Sequence, residues 1–225
     1  MTPLVPSTAT GGRIKAVVFD MDGVLFEGRN FWMDLHLLLG CDVAEARRLL
    51  ERYLDADYAM LAAEIVGKRW RGKAAEPYLE LVGGRRYQPG AQETVTFLRE
   101  SGIATAIVSS GPDLLAERAK RELGVDAIRA NGVDIRNGRI SGAATIRVPQ
   151  GQKAAVALDV LADLGVSVDQ AAAVGDSDAD VALAARVAVP IAYDSSSEQL
   201  TRMAAHKLKH GELARVCQII ESGGR

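Results

Sequence analysis

The sequence predicts an α/β protein in which a central parallel sheet carries helices on both faces and a small all-helical segment is inserted early. Three observations predict it. Short apolar runs at 14–19, 103–108 and 171–174 lack strict period-two alternation, as strands buried on both faces do. Helix-period segments closed by glycine lie between them, including Ala91–Glu100 before Gly102 and 152–164 before Gly165, and repeated strand–helix units imply parallel pairing. From 28 to 88 the pattern is helical, with no convincing strand.

Taken in order, residues 1–13 read as a loose leader without the charged start and apolar centre of a secretory signal. The first strand ends at Asp20-Met21-Asp22-Gly23. Helical stretches follow over 30–39, 43–54, 57–70 and 76–82, the last broken by Gly83-Gly84. Pro89-Gly90 restores strand–helix alternation: helix 91–100, strand 103–108, helix 112–123 and a short strand at 127–130. Residues 132–144 alternate around Asn137-Gly138, which predicts a two-stranded flap. Helix 152–164, strand 171–174, a helix opened by Gly175-Asp176, a fifth strand at 187–192 and helix 212–220 complete the chain. Pro190 places the fifth strand near a sheet edge. The expected division is a core of 14–27 plus 89–225 and a helical insertion of 28–88.

With 225 residues, 48% hydrophobic, 25% charged and a formal net charge of −2, the chain has no basic field for nucleic acid, and no apolar run is long enough for a membrane helix. Cys41 and Cys217 show neither zinc-like nor redox spacing, which fits idle thiols in a reducing cytoplasm. The expected partner is a small molecule. The basic stretch 68–73 reads as a solvated helix face or a surface attracting an anionic substrate. His206 and His210, four apart but flanked by lysines, read as surface residues.

Ligands of an open parallel sheet bind outside the carboxyl ends of its strands. Asp20 and Asp22 fall there, as do Ser109-Ser110-Gly111 and Asp176 with Asp180, while Lys153 opens the helix after the hairpin. Converging carboxylates raise each other's pKa unless a cation lies among them, and an oxygen-rich set with room for water and phosphate suits magnesium. Ser109, Ser110, Gly111 and Lys153 supply donors for phosphate oxygens, with Gly23 as a further candidate contact.

These four elements, in this order and spacing, resemble the motifs of the haloacid dehalogenase (HAD) superfamily and, through the stretch 130–142, its phosphoserine-phosphatase-like group. The resemblance implies a Rossmann-like core with a helical cap inserted after the first motif. It also implies a magnesium-dependent phosphomonoesterase in which Asp20 is the nucleophile and Asp22 the general acid and base. Lys153 and Ser109 would stabilise the transferring group, while Asp20, the Asp22 carbonyl, Asp176 and Asp180 would hold the metal. Arg29 occupies the register where that group carries glutamate, which suggests a substrate with an anionic group near the phosphate unless Glu27 reaches in instead. Two alternatives remain open at this stage: a phosphomutase, because Asp-Gly-Val-Leu also resembles the phosphoglucomutase-like relatives, and a catalytically silent binding or regulatory protein.

Overall fold

The computed structural model describes residues 13–223, so the expected leader, Arg13 apart, lies outside the described residues. Strand β1 (Ala16–Phe19) runs through the middle of the sheet and is buried at every position. Its side chains divide with period two: Ala16 and Val18 pack into one apolar cluster, Val17 and Phe19 into another. This is why the run is apolar throughout. β2 (Ala104–Pro112) and β5 (Ala171–Gly175) flank β1 in parallel, with Phe19 level with Ile107 on one side and Val174 on the other.

The full sheet has seven strands in the order β4-β3-β2-β1-β5-β6-β7, completed by β3 (Ala127–Arg136), β4 (Arg139–Thr145), β6 (Val189–Tyr193) and β7 (His206–Leu208). Only the β3–β4 pairing is antiparallel. Helices cover both faces. The helical insertion contributes α1 (Phe31–Leu38), α2 (Val43–Tyr53), α3 (Tyr58–Ala62) and α4 (Glu76–Gly84). Beyond it, α5 (Ala91–Glu100), α6 (Asp113–Leu123) and the later α10 (Arg215–Glu221) pack on the Val17–Phe19 side. α7 (Lys153–Asp163) and α8 (Val181–Ala184) pack on the Ala16–Val18 side. Phe31, Leu35, Trp70 and Tyr78 of the insertion belong to the same apolar cluster as Val17 and Phe19, so insertion and sheet share one packed interior.

Several elements differ from the sequence expectations. Residues 127–130 and the first arm of the hairpin form one continuous strand, because β3 pairs with β2 at its start and with β4 beyond Asn131. The hairpin turns at Asn137 and Gly138, whose φ values of 51° and 70° suit a tight primed turn. It is no free flap: Gly72 N–H donates to Ile140 O at 2.8 Å, and Ala75 N–H donates to Gly138 O at 2.9 Å. Pro190 is one strand in from the edge. Its carbonyl accepts from Ala205 N–H at 2.9 Å on the β7 side, so the donor it lacks is lost from that short pairing and spares the β5 ladder. β7 itself, and α9 (Glu198–Met203) capped by the Ser197 hydroxyl, were not anticipated. His206 lies in β7 and His210 in the following turn, so their spacing of four is not a helical one.

The segment 57–70 is helical but not uniform: α3 passes directly into a π-helical turn, Ala63–Trp70, with hydrogen bonds reaching five residues back. Part of the basic stretch is engaged locally. Lys68 and Arg69 pair with Glu64, Arg69 also with Glu45, and Lys73 donates to Leu39 O at 2.8 Å, while the Lys68 side chain is 66% exposed and Arg71 is exposed, so the run is partly a solvated face and partly tied down by acidic and carbonyl partners. Leu38 is 57% exposed, because Phe31 and Leu35 occupy the packed side of α1. No helix among the described residues is long and apolar enough to cross a membrane.

Thr105 is a buried polar residue in β2 whose N–H and hydroxyl both donate to Asp126 Oδ2, at 2.8 and 3.1 Å. Asp126→Ala strands both donors and should lower unfolding stability by about 1–3 kcal/mol in urea titrations. An unchanged midpoint would show that this pairing contributes nothing to the sheet.

Candidate active site

β1 lies where the strand order reverses, since the chain leaves it for β2 on one side and returns as β5 on the other. The crevice at the carboxyl ends of these strands is where such sheets bind ligands. Asp20 follows Phe19 there, its N–H donating to Val174 O at 2.9 Å. Next comes a tight turn: Leu25 and Phe26 N–H both donate to Met21 O at 3.0 Å, and Gly23 N–H donates to Phe26 O at 2.9 Å. Buried Gln88 supports the turn by donating from Nε2 to Gly23 O at 3.1 Å.

Asp20, Asp176 and Asp180 are buried and offer oxygens that all lie within 4.8 Å of one another. Buried Lys153, the first residue of α7, reaches across to Asp20 Oδ1 at 2.7 Å and Asp180 Oδ1 at 2.6 Å. Asp180 Oδ2 accepts from the Asp176 and Ser177 N–H groups, each at 3.1 Å, which fixes the loop after β5. Glycines make this convergence possible. A Cβ on Gly175 would lie 2.3 Å from Asp180 Cγ, and one on Gly23, whose φ is +81°, would lie 2.4 Å from Asp176 Oδ2.

The electrostatics follow from this crowding. Burial, and then Asp20 and Asp180, push Asp176 up to about 7. Asp20 is raised by burial, partly offset by Lys153. Burial works against the Lys153 ammonium, yet Asp180 and Asp20 hold it above the usual lysine range. Three carboxylates sharing one buried ammonium carry more negative charge than the cluster itself neutralises, and their all-oxygen donor set suits a hard divalent cation. Arg29 adds a contact from the mouth, 3.3 Å from Asp176 Oδ2.

Asp22 stands apart from the cluster, so its carboxyl is not among the grouped metal-type oxygens. It lines the adjoining cavity, with Oδ1 lacking a hydrogen-bond partner among the described residues and Phe31 N–H 3.5 Å from Oδ2. Burial, with Asp20 adding to it, pushes Asp22 up to about 7, the range for a group that gives and takes a proton near neutrality. The Ser109 hydroxyl oxygen accepts from Gly111 N–H at 3.1 Å, which leaves its own proton available to a ligand. Ser109, Ser110 and Gly111 all line the cavity, as do Asp20, Asp176 and Lys153. Gly111 packs closely, since a Cβ there would lie 2.6 Å from Met21 Cε, which would have to shift.

Two sequence candidates are not substrate contacts in this geometry. Gly23 does not line the cavity, and its N–H is spent on Phe26; its role is to let Asp176 approach. Glu27 points away and pairs with Arg86 at 2.7 Å. Arg29 does reach the cavity, but its guanidinium is committed to the Asp194 carbonyl at 2.7 Å, the Asp194 carboxylate at 2.9 Å and Asp176. Sequence reasoning missed Asn131 as the hub of the wall. Its Nδ2 donates to Ser110 O and Val148 O, both at 3.0 Å, and its Oδ1 accepts from Arg147 and Val148 N–H at 2.8 and 2.9 Å. Trp32 also lines the cavity, its Nε1–H donating to Ser110 O at 2.8 Å. Only asparagine's position directly after a buried strand could have hinted at Asn131.

Gly175→Ala should displace the Asp180 carboxyl from its place between the Ser177 amide and Lys153. Overpacking of this kind costs about 1–3 kcal/mol, which thermal denaturation should register as a melting point lower by roughly 2–10 °C. A melting point equal to that of the parent would mean the loop yields without cost.

Comparison with known proteins places this geometry. The family model for haloacid dehalogenase-like hydrolases matches residues 17–185. The chain is similar to a phosphoserine phosphatase of Archaeoglobus fulgidus, 29% identical over 183 residues covering 80% of this chain and 53% of the relative. It is also similar to a phosphoserine phosphatase of Albidiferax ferrireducens, 28% identical over 142 residues, 60% of this chain and 59% of the relative. The matched regions thus span little more than half the length of these relatives. Among solved structures, a phospho-aspartyl intermediate analogue of phosphoserine phosphatase superposes with a TM-score of 0.75 at 19% identity, over 94% of this chain and 99% of the other. A HAD family hydrolase from Salmonella enterica serovar Typhi gives 0.77 at 18% identity, over 91% and 71%. These two share the fold. The match over 17–185, with its motifs converging at the end of β1, shows that the chain belongs to the haloacid dehalogenase-like hydrolase family.

Proposed function

We propose that this protein is a magnesium-dependent phosphomonoesterase that works through an aspartyl-phosphate on Asp20. One observation carries the reading above the others: Asp20 and Asp22 share a single turn at the end of the central strand, one bound into the Lys153 cluster and the other facing the cavity with an unpartnered oxygen. Within the family the activity is familiar, since the relatives named above are phosphoserine phosphatases. The division of the chain into a catalytic core of 14–27 and 89–225 and a helical cap of 28–88 belongs to the same proposal. So does a cytoplasmic location, supported by the unbridged thiols of Cys41 and Cys217.

Asp20, the main-chain carbonyl of Asp22 and Asp176, with Asp180 directly or through water, would hold magnesium, which supplies neutralising charge for the phosphoryl oxygens. The Asp20 carboxylate attacks phosphorus in line as the ester P–O bond breaks, and Asp22 gives its proton to the departing alkoxide. In the second half Asp22 takes a proton from the attacking water, phosphate leaves and the Asp20 carboxylate is restored. Lys153 and the Ser109 hydroxyl hold the transferring group by charge and hydrogen bonding. Phosphoserine itself is not carried over from the relatives, because Glu27 is paired with Arg86 outside the cavity and Arg29 is committed to Asp194 and Asp176.

Purified protein should release inorganic phosphate from members of a phosphate ester panel when magnesium is present and lose that release with a chelator. Asp20→Asn should abolish it, by about a thousandfold or more, while unfolding stays cooperative. Appreciable turnover by a folded Asp20→Asn protein would remove Asp20 from the nucleophile's role.

A further inference from the structure

The cavity, about 410 Å³ in volume, has two chemically different ends. Every charged side chain lining it, namely Asp20, Asp22, Arg29, Lys153 and Asp176, belongs to the end at β1 and β5. The wall supplied by the helical insertion is apolar, built from Met33, Leu50, Leu54, Leu61, Ile65 and Val66. The π-helical turn helps to make it so. Lining positions 61, 62, 65, 66 and 70 share one side of this segment, with 61 and 66, and 65 and 70, each five residues apart, while Lys68 and Arg69 turn aside to Glu64 and Glu45.

Few polar side chains of the insertion reach the cavity, and those that do are at least partly engaged. Asn30 Oδ1 caps α1 by accepting from Met33 N–H at 3.0 Å. His36 Nδ1 accepts from Trp70 Nε1–H at 3.0 Å, and its Nε2 lies 3.2 Å from the Asp42 carbonyl. The Tyr58 hydroxyl accepts from Asn131 Nδ2 at 3.3 Å. An amino-acid leaving group would bring an ammonium and a carboxylate against this wall, where no side chain carries a compensating charge, and unpaired buried charge is strongly disfavoured. Apolar surface placed there is favoured in proportion to the area removed from water.

We propose that the substrate is a phosphate monoester whose leaving group is uncharged and largely apolar, an aryl or branched alkyl alcohol seated against the insertion wall. This rests on the phosphomonoesterase reading, and binding separates the two. Calorimetric titration of the full chain with magnesium should give benzylphosphonate at least about tenfold higher affinity than the phosphonate isostere of phosphoserine. Ile65→Asp and Met33→Asp, each checked for cooperative unfolding, should cut benzylphosphonate affinity by about tenfold and leave that of the isostere within about twofold. Equal or tighter binding of the isostere by the parent protein overturns the proposal, as does unchanged benzylphosphonate affinity in the folded variants. Phosphate release from phosphoserine together with tight isostere binding would sink the apolar preference and keep the phosphatase. Absence of both release from any ester and binding of either phosphonate would overturn both.

Discussion

The tie on which the site depends is the buried ammonium of Lys153, held between Asp20 and Asp180. It joins three parts of the chain that are remote in sequence: the end of β1, the loop after β5 and the first turn of α7. Losing one partner of such a buried arrangement would leave an uncompensated charge, a cost of about 3–5 kcal/mol, so the three elements are locked in one geometry. The lock is incomplete in charge. One ammonium faces three carboxylates, Asp176 is pushed up to about 7, and the all-oxygen donor set suits a divalent cation.

Around this tie the fold divides labour. The sheet provides rigid strand ends, level with one another through the Phe19, Ile107 and Val174 register, and so presents reactive groups without loop freedom. The helical insertion provides the far wall of the cavity and is anchored from both sides. Phe31, Leu35, Trp70 and Tyr78 extend the sheet's apolar cluster, and the β3–β4 hairpin bonds to the backbone at 72–75. Arg85 reinforces one hinge, donating to the Glu27 carbonyl at 3.2 Å and to Asp34 at 2.6 Å. Arg118 steadies the other by donating to the carbonyls of Val82 and Arg85 at 2.9 and 2.6 Å.

Much of this was legible in the sequence because it rests on local signals. Continuous apolar strands announce burial on both faces, and Asp20, Asp22, Ser109, Asp176 and Asp180 sit at strand ends, where a parallel sheet binds ligands. What was not legible depends on contacts across space. Glu27 and Gly23 looked like substrate contacts until the positions of Arg86 and Asp176 were known. The basic stretch 68–73 looked wholly solvent-facing because Glu45, one of its acidic partners, lies more than twenty residues away. Segment 57–70 shows the same apolar rhythm for α- and π-helical turns, and the three residues of β7 are too few to display any rhythm at all.

The central claim is that the Asp20–Asp176–Asp180 cluster is a divalent cation site fixed by Lys153. Scanning calorimetry of the full chain across a magnesium series tests it most directly. Ligand linkage at about a hundred times Kd is worth about 2.7 kcal/mol, so the melting point should climb by roughly 5–10 °C and go on rising with the logarithm of magnesium concentration. Asp176→Asn should stay folded and lose most of that climb. A parent melting point indifferent to magnesium, or an equal rise in the folded Asp176→Asn protein, would contradict the account.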